Sequence, residues 1–278
     1  MSGLQQLAGK TAVITGGASG IGKGIAQALK AEGMDLVIAD VEQSALDAAA
    51  AELGALGILC DVSSMECIQA LAGQVLRRFG TIHVLCNNAG VGSNATIAEM
   101  TPSDWQWILG VNLMGVIHGT RAFLPALKAN SDGGWMVNTA SMSGFRIVPS
   151  LGGYGVTKFG IMALSETLAM ELAMEGSKVG VSILCPGPVH TNIKTSSRNR
   201  PDALGGGALQ DMDLELSEDG RRLRWMSARE AGDLVARAIK SGDLYVLTHP
   251  EMGPMVEERH RTIEAAFKAA AAEQLEQA

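Results

Sequence analysis

Short apolar runs alternate with longer segments of helical period along this chain, from about residue 10 to about residue 247. This alternation is typical of parallel strands joined by crossover helices. The runs are apolar throughout, which indicates strands that are covered on both faces. The sequence therefore predicts an α/β fold with one doubly wound sheet of seven parallel strands, over Thr11 to Thr15, Leu36 to Ala39, Leu56 to Cys60, Ile82 to Cys86, Trp135 to Thr139, Val179 to Leu184 and Leu244 to Leu247.

Nothing in the sequence divides the chain into separate units. No tandem repeat, charge block or Pro/Ser-rich linker is visible, so we expect one domain over residues 1–278. Residues 188–226 form a long insertion before the last helix and strand, and we interpret them as a substrate-binding loop or lid. Residues 253–278 are predicted to form a helical tail, with Pro254 near its start, that docks onto the core or onto a second subunit.

Composition excludes several classes of partner. The net charge of −7 and the pI near 5.3 contrast with the basic patches of nucleic-acid binders, so we expect neither nucleic acid nor an anionic membrane as a partner. The most apolar stretch, 108–127, is interrupted by Asn112, His118 and Arg121, which favours a buried helix over a membrane span. The sequence shows no signal-peptide pattern, so we expect a cytoplasmic protein. The cysteines lack CxxC spacing, which predicts free thiols. The histidines lack metal-ligand spacing, so we expect no metal site.

A glycine-rich turn links the first strand to the first helix, in the sequence Thr15-Gly-Gly-Ala-Ser-Gly-Ile-Gly22. Such a turn aims backbone N–H groups and the positive end of the helix dipole at a pyrophosphate, and glycines at 16, 20 and 22 allow close approach. The alternative is an ordinary glycine-rich turn with no ligand.

Asp40 ends the second predicted strand, just under 20 residues beyond the glycines. A carboxylate there can accept hydrogen bonds from the adenosine ribose, and it would repel a 2′-phosphate. Because Ser19 rather than a basic residue lies inside the glycine turn, we predict NAD rather than NADP as the cofactor. Taken alone, Asp40 could also be a solvated strand end.

The spacing TGxxxGxG and a series of later motifs resemble the short-chain dehydrogenase/reductase family. The matches follow in the family's order and cover nearly the whole chain: Asp61-Val62, Asn87-Asn-Ala-Gly90, Asn112, Ser141, Tyr154-Gly-Val-Thr-Lys158, and Pro186-Gly187 with Thr191. The resemblance implies a Rossmann-type domain with strand order 3-2-1-4-5-6-7. It also implies that the cofactor contacts Gly16, Ser19, Gly20, Ile21, Gly22, Asp40, Asp61, Val62, Asn88, Ala89, Gly90, Tyr154, Lys158, Pro186, Gly187, Val189 and Thr191.

The candidate chemistry centres on Tyr154 and Lys158. Residues four apart lie on one face of a helix, so both heads can meet one ligand. A tyrosine with a pKa near 10 is a poor base at neutral pH, but a neighbouring ammonium would stabilise its phenolate. The resemblance assigns the alcohol proton to Tyr154 and the ribose hydroxyls to Lys158. It implies that Ser141 positions the substrate oxygen and that Asn112 completes a water-linked path to Lys158.

The residues predicted to flank the reaction centre are mostly apolar: Met142, Phe145, Ile147, Val148, Leu151, Val91, Val189 and Ile193. We therefore predict a bulky, weakly polar secondary alcohol or ketone as substrate. Arg146 is a nearby charge, or simply an exposed loop residue. The segments Asn199-Arg-Pro201 and 244–250 also resemble a bacterial subset that includes the Cα-dehydrogenases of lignin-derived aryl ethers.

Three alternatives and the quaternary state complete these expectations. The same fold could serve as a catalytically idle NAD-binding sensor, as an NADP-dependent ketone reductase of the same family, or as an epimerase or dehydratase of its extended relatives. By resemblance, the apolar helices that hold Asn112 and Tyr154 pair between subunits. We predict a homo-tetramer, with a homo-dimer as the alternative.

Overall fold

The sheet has the predicted architecture. The computed structural model describes residues 3–211, 213–216 and 218–276. Seven parallel strands lie in the order β3-β2-β1-β4-β5-β6-β7, which confirms the predicted fold class and strand order. They are β1 (Thr11–Thr15), β2 (Asp35–Asp40), β3 (Leu56–Leu59), β4 (Val84–Asn87), β5 (Gly134–Thr139), β6 (Val179–Cys185) and β7 (Tyr245–Leu247).

Helices cover both faces of this sheet. They are α1 (Gly20–Ala31), α2 (Gln43–Leu53), α3 (Met65–Phe79), α4 (Pro102–Leu109), α5 (Gly115–Ala129), α6 (Gly152–Met174), α7 (Glu218–Arg222), α8 (Ala228–Ser241) and α9 (Gly253–Glu276). A π-helical turn, Gly110–Met114, joins α4 to α5, and short 3₁₀ turns lie at Met142–Gly144, Asn192–Asn199, Asp202–Leu204, Leu214–Leu216 and Pro250–Met252.

The strands are apolar throughout because successive side chains point to opposite, equally buried faces. In β1, Ala12 and Ile14 pack into one core, whereas Val13 packs into the other. Helices α1, α2 and α8 cover the first core, and α3, α5 and α6 cover the second. The sheet, with the carboxyl ends of its strands, is thus held between two layers of helices.

Two glycines allow α1 and α8 to cross at very short range. A Cβ atom added at Gly24 would lie 2.0 Å from the carbonyl oxygen of Ala228, and one added at Gly232 would lie 2.1 Å from the carbonyl oxygen of Gly24. No larger side chain fits at either position without moving backbone. The contact joins an early helix of the chain to a late one.

The C-terminal tail forms a helix, α9, over Gly253–Glu276, and residues 277–278 of the predicted tail lie outside the described residues. Its first turns contact the core, where Val256 packs on an apolar cluster and the Arg259 guanidinium lies 5.0 Å from the ring centre of Phe159. Residues 261–274 are exposed, and they include Phe267. Coverage of this part by a second subunit stays a prediction. Among the described residues, no helix is long and apolar enough to cross a membrane.

Candidate active site

A groove of about 1060 Å³ opens at the carboxyl ends of the strands. The chain runs outward from β1 to β2 and β3 and then returns to β4, so a crevice forms beside β1 where the direction of winding reverses. Most of the residues that the sequence singled out as cofactor contacts line this groove: Gly16, Ser19, Gly20, Ile21, Asp40, Asp61, Val62, Asn88, Ala89, Gly90, Tyr154, Lys158, Pro186 and Thr191.

The glycine turn forms the floor of the groove. Gly16 and Gly20 adopt the left-handed backbone region, with φ of 63° and 49°. A Cβ atom at Gly22 would lie 2.0 Å from the carbonyl oxygen of Gly16, so this position is part of the turn although it does not line the groove. Ser19 precedes α1, but its side chain does not cap the helix. The first backbone N–H groups of α1 therefore receive no bond from the Ser19 side chain, and they can bind an anionic group.

Asp40 lies at one end of the groove. Its carboxylate accepts hydrogen bonds from the backbone N–H groups of Ala18, Val41 and Glu42, at 3.1, 2.8 and 3.2 Å. These bonds orient the side chain and join it to the glycine turn. Asp61 and Val62 line the adjoining wall, where Asp61 accepts from the backbone and side chain of Ser63.

Asn88 fastens β4 to the glycine turn. Its amide donates to the carbonyl oxygens of Thr15 and Gly16 at 3.1 and 3.4 Å, and it accepts from the Thr139 hydroxyl at 3.3 Å. Ala89 and Gly90 follow in the wall of the groove. The amide thus has a structural role that fixes this wall.

Tyr154 and Lys158 meet at the other end of the groove, on the first turns of α6. The Lys158 Nζ lies 5.3 Å from the ring centre of Tyr154 and donates to the carbonyl oxygen of Thr139 at 2.9 Å. Burial lowers the pKa of Lys158 to about 8. Burial raises the pKa of Tyr154 above its ordinary value, and a hydrogen bond with Ser141 opposes this rise. The three side chains therefore form one interacting group.

Ser141 follows β5 and is buried. Its hydroxyl donates to the carbonyl oxygen of Pro186 at 3.4 Å and accepts from the backbone N–H of Ser143 at 3.1 Å. The backbone N–H of Met142 also donates to Pro186, at 2.9 Å. The end of β5 and the start of the Pro186 loop are thus held together beside Tyr154.

Asn112 lies in the π-helical turn, where one extra residue disturbs the regular helix. Its side-chain oxygen accepts from the backbone N–H of Val91 at 2.8 Å, and its amide donates to the Val91 carbonyl at 2.9 Å. The amide also lies 3.4 Å from the Thr157 hydroxyl, one residue before Lys158. The structure thus places Asn112 behind the groove, and its predicted water-linked path to Lys158 stays a prediction.

The family model described as short chain dehydrogenase matches residues 10–202, more than half of the chain. This chain belongs to the short-chain dehydrogenase/reductase family. The match spans the glycine turn, Asp40, Ser141, Tyr154 and Lys158. It ends within the 188–226 segment.

Similar proteins agree with this membership. A short-chain dehydrogenase/reductase from Burkholderia phymatum, solved in complex with NAD, is 38% identical with a TM-score of 0.87, over 95% of this chain and 97% of that one. A C alpha-dehydrogenase from a Sphingobium species is 32% identical, over 91% of this chain and 85% of the relative. The 3beta-hydroxysteroid dehydrogenase 2 of Eggerthella lenta is 36% identical, over 69% of this chain and 75% of the relative. The predicted resemblance to Cα-dehydrogenases is confirmed.

Several positions that the family resemblance suggested lie outside the groove. Gly187 packs beneath His249, and Val189 pairs with Met226 through its backbone. Of the predicted substrate contacts, Ile193 and Val91 line the groove. Met142 and Phe145 instead pack in a separate apolar cluster, where the Phe145 ring lies 6.2 Å from that of Tyr245, and Ile147 is exposed. Val148 and Leu151 precede α6 and do not line the groove, so their contact with substrate stays a prediction.

Sequence reasoning missed other residues of the groove. Trp107 is buried and lines it together with Val111 and Leu204. Asp104 forms a capping box with Thr101 at the start of α4. Asp104 also accepts from Arg200 at 2.5 Å and from the backbone N–H of Ala208 at 3.0 Å. The sequence signal for this contact was Arg200 in Arg198-Asn-Arg-Pro201, a charged residue for which the sequence suggested no partner.

The electrostatics of Asp104 follow from these bonds. Burial disfavours its charged form, but the hydrogen bonds from Thr101, Arg200 and Ala208 outweigh that cost and hold its pKa below the ordinary range. The Arg200 guanidinium also lies 5.5 Å from the ring centre of Trp107. The 188–226 segment is therefore anchored on α4, beside the apolar part of the groove.

Proposed function

We propose that this protein is an NAD-dependent oxidoreductase that interconverts a bulky, largely apolar secondary alcohol and the corresponding ketone. The observation that carries the proposal is that Tyr154 and Lys158 line one end of a groove whose other end holds Asp40, with Ser141 buried beside Tyr154 and bonded to it. The N-terminus of α1 lies between the two ends. This arrangement supports the proposal that one cavity serves both the proton transfer and the binding of a dinucleotide.

The residues present fit an NAD molecule. The uncapped N-terminus of α1 would hold the pyrophosphate, Asp40 the adenosine ribose, and Lys158 the second ribose. Asp61, Val62 and the Asn88 to Gly90 wall would enclose the cofactor, with Pro186 and Thr191 at the nicotinamide. The bound nicotinamide supplies the acceptor or donor of hydride. A negative charge at Asp40 favours NAD over NADP because it repels a 2′-phosphate.

Tyr154 would take the proton from the alcohol oxygen during oxidation and return it during reduction. Oxidation removes one hydride from the carbon and one proton from the oxygen, which leaves the ketone. The buried Lys158 ammonium would stabilise the phenolate of Tyr154, and the Ser141 hydroxyl would hold the substrate oxygen. Without such help, burial keeps Tyr154 protonated.

The apolar part of the groove supports a bulky substrate. Val91, Trp107, Val111, Ile193 and Leu204 line it near Tyr154. Burial of an apolar ring system against these side chains contributes roughly 25 cal/mol per Å² of area removed from water. The 188–226 segment would act as a lid over this region. We expect a cytoplasmic homo-tetramer, or a homo-dimer, that takes a small molecule as substrate.

The decisive experiment compares turnover in wild type and in Tyr154→Phe. NADH formation is followed with NAD and NADP side by side, on a panel of aryl and alicyclic secondary alcohols. We expect turnover with NAD that falls by at least about 1000-fold in Tyr154→Phe, because general acid–base catalysis contributes about 100- to 10,000-fold. NADH affinity should stay close to that of wild type.

The chain offers a matched control in its second tyrosine, Tyr245 on β7. The Tyr245 hydroxyl donates to the Glu166 carboxylate at 3.0 Å. Tyr245→Phe should turn over like wild type. Tight NADH binding without turnover of any alcohol, or of the reverse ketones, would instead support the sensor alternative.

A further inference from the structure

Part of the 188–226 segment reaches the end of the groove where Asp40 lies, far from Tyr154. Arg198 donates to the Glu42 carboxylate at 2.7 Å, and Asn199 donates to the same oxygen at 3.0 Å. Glu42 follows Asp40 by two residues and immediately precedes α2. The segment thus crosses the opening of the groove and contacts its β2 side at Glu42.

The other anchors of residues 192–211 lie on the opposite side of the groove, on α4 and on the chain that follows β4. Arg200 and Ala208 bind Asp104 on α4, Ser196 accepts from the backbone N–H of Gly92 at 2.9 Å, and Gln210 pairs with Asn94. Among the described residues 192–211, Arg198 and Asn199 contact the β2 side of the groove, at Glu42. Breaking that contact would open the groove along its length, while the anchors on α4 and after β4 stay in place.

The two sets of contacts differ in strength. Asp104 is fully buried and Arg200 is nearly so, whereas the side chains of Arg198 and Glu42 are 35% and 32% exposed. Ion pairs open to solvent are individually weak, and buried ones are costly to break. The contact at Glu42 is therefore the weaker of the two attachments.

We propose that the contact of Glu42 with Arg198 and Asn199 is a latch that closes the segment over the adenosine half of the dinucleotide and slows its release. The latch rests on the proposed function, since it requires a cofactor in the groove. Glu42 acts through the segment and is a positioning residue rather than a catalytic one. Opening at Glu42 would precede departure of the adenosine end, because the segment would cover a ribose held at Asp40.

The test measures NADH dissociation by stopped-flow fluorescence, with excess NAD as the competitor, in the full-length protein. We expect Glu42→Ala to dissociate NADH roughly 3- to 30-fold faster than wild type, since one exposed pair and one further hydrogen bond are lost. Arg198→Leu should show a similar increase. The double variant should show no further increase, because both substitutions open the same latch.

A matched control is Asp47→Ala, which removes a carboxylate from α2 that bonds to Gln43 instead of to the segment. It should leave the rate unchanged. Asn199→Ala gives a second test at a half-exposed loop position, with an expected increase smaller than that of Glu42→Ala. Thermal melting of each variant should match wild type, because a merely structural role would lower the melting temperature instead of changing the rate.

Equal dissociation rates in wild type and Glu42→Ala, or additive effects in the double variant, would overturn the latch and leave the proposed function intact. A wild-type protein that binds neither NADH nor NADPH would overturn the proposed function and the latch together. The same fluorescence measurement therefore distinguishes failure of the latch from failure of the proposed function.

Discussion

Lys158 carries its charge in surroundings that disfavour it. Burial lowers its pKa from an ordinary 10.5 to about 8, and its head group donates to Thr139. Below pH 8 the lysine is protonated in both the folded and the unfolded protein, so the cost of burying the charge is present in full. Above about pH 10.5 it is neutral in both states and this cost is gone.

This linkage predicts a pH-dependent stability difference between wild type and Lys158→Met. At pH 7 the variant should be more stable by about 1–3 kcal/mol, and the difference should disappear between pH 8 and 10.5. Urea unfolding over this pH range measures it. Subtracting the two proteins cancels the buried thiols of Cys60 and Cys86, whose raised pKa values act in the opposite direction. The Cys185 thiol interacts with the Lys158 charge, so its contribution belongs to the measured difference. A constant difference would mean that the lysine is not charged at a cost.

Asp40 gives the second prediction at this scale. Asp40→Asn keeps an oxygen that can accept from Ala18 or Val41, but it removes the negative charge. We expect the ratio of kcat/KM for NADP over NAD to rise at least about 10-fold, which corresponds to about 1.4 kcal/mol. Asp61→Asn, which changes another carboxylate of the same groove, should not alter the ratio. An equal rise in both variants would point to the general field of the groove.

At the scale of elements, the turn between β1 and α1 depends on glycine for space rather than for flexibility alone. A methyl group at Gly22 would lie 2.0 Å from the backbone oxygen of Gly16, so the turn must move. We predict that Gly22→Ala weakens NADH binding by at least about 10-fold, since misplaced N–H groups lose the pyrophosphate. Fluorescence titration measures the affinity.

Gly155→Ala is the control for this substitution. Gly155 lies in α6, and a Cβ atom there meets nothing within 4 Å. Alanine should stabilise the protein by about 0.5–1 kcal/mol, because glycine is the poorer helix former. A loss of NADH affinity in both variants would show that glycine replacement itself, rather than the turn, causes the effect.

The elements were predictable because their signals are local. Each strand is a short continuous run of apolar residues, and Tyr154 and Lys158 share a helix face through their spacing alone. The contacts of the 188–226 segment were not predictable because they join residues such as Glu42 and Arg198, which are 156 positions apart. Met142 and Phe145 lie one and four residues after Ser141, but the 3₁₀ turn that begins there directs them into the apolar cluster near β7. Proximity in sequence therefore did not indicate how these two side chains pack.

At the scale of the whole molecule, the crossing of α1 and α8 ties the two ends of the domain together. We predict that Gly24→Ala destabilises the protein by about 1–3 kcal/mol or more, because its methyl group would lie 2.0 Å from the Ala228 backbone. Urea unfolding measures the change. Gly73→Ala in α3 is the control, since a Cβ atom there meets only the flexible end of Arg77 at 3.3 Å. Equal stability of both variants would contradict this view of the crossing.

The same crossing bears on how the chain is made. Roughly 200 residues separate the two helices, so at about 5–20 residues per second a ribosome needs roughly 10–40 s to supply α8 after α1 has emerged. During that time the apolar face of α1, with Ile25 and Leu29, has no lasting cover from its partner. A nascent chain in this state is a natural client for chaperones. A product that terminates before residue 228 keeps that face open and becomes a substrate for proteolysis.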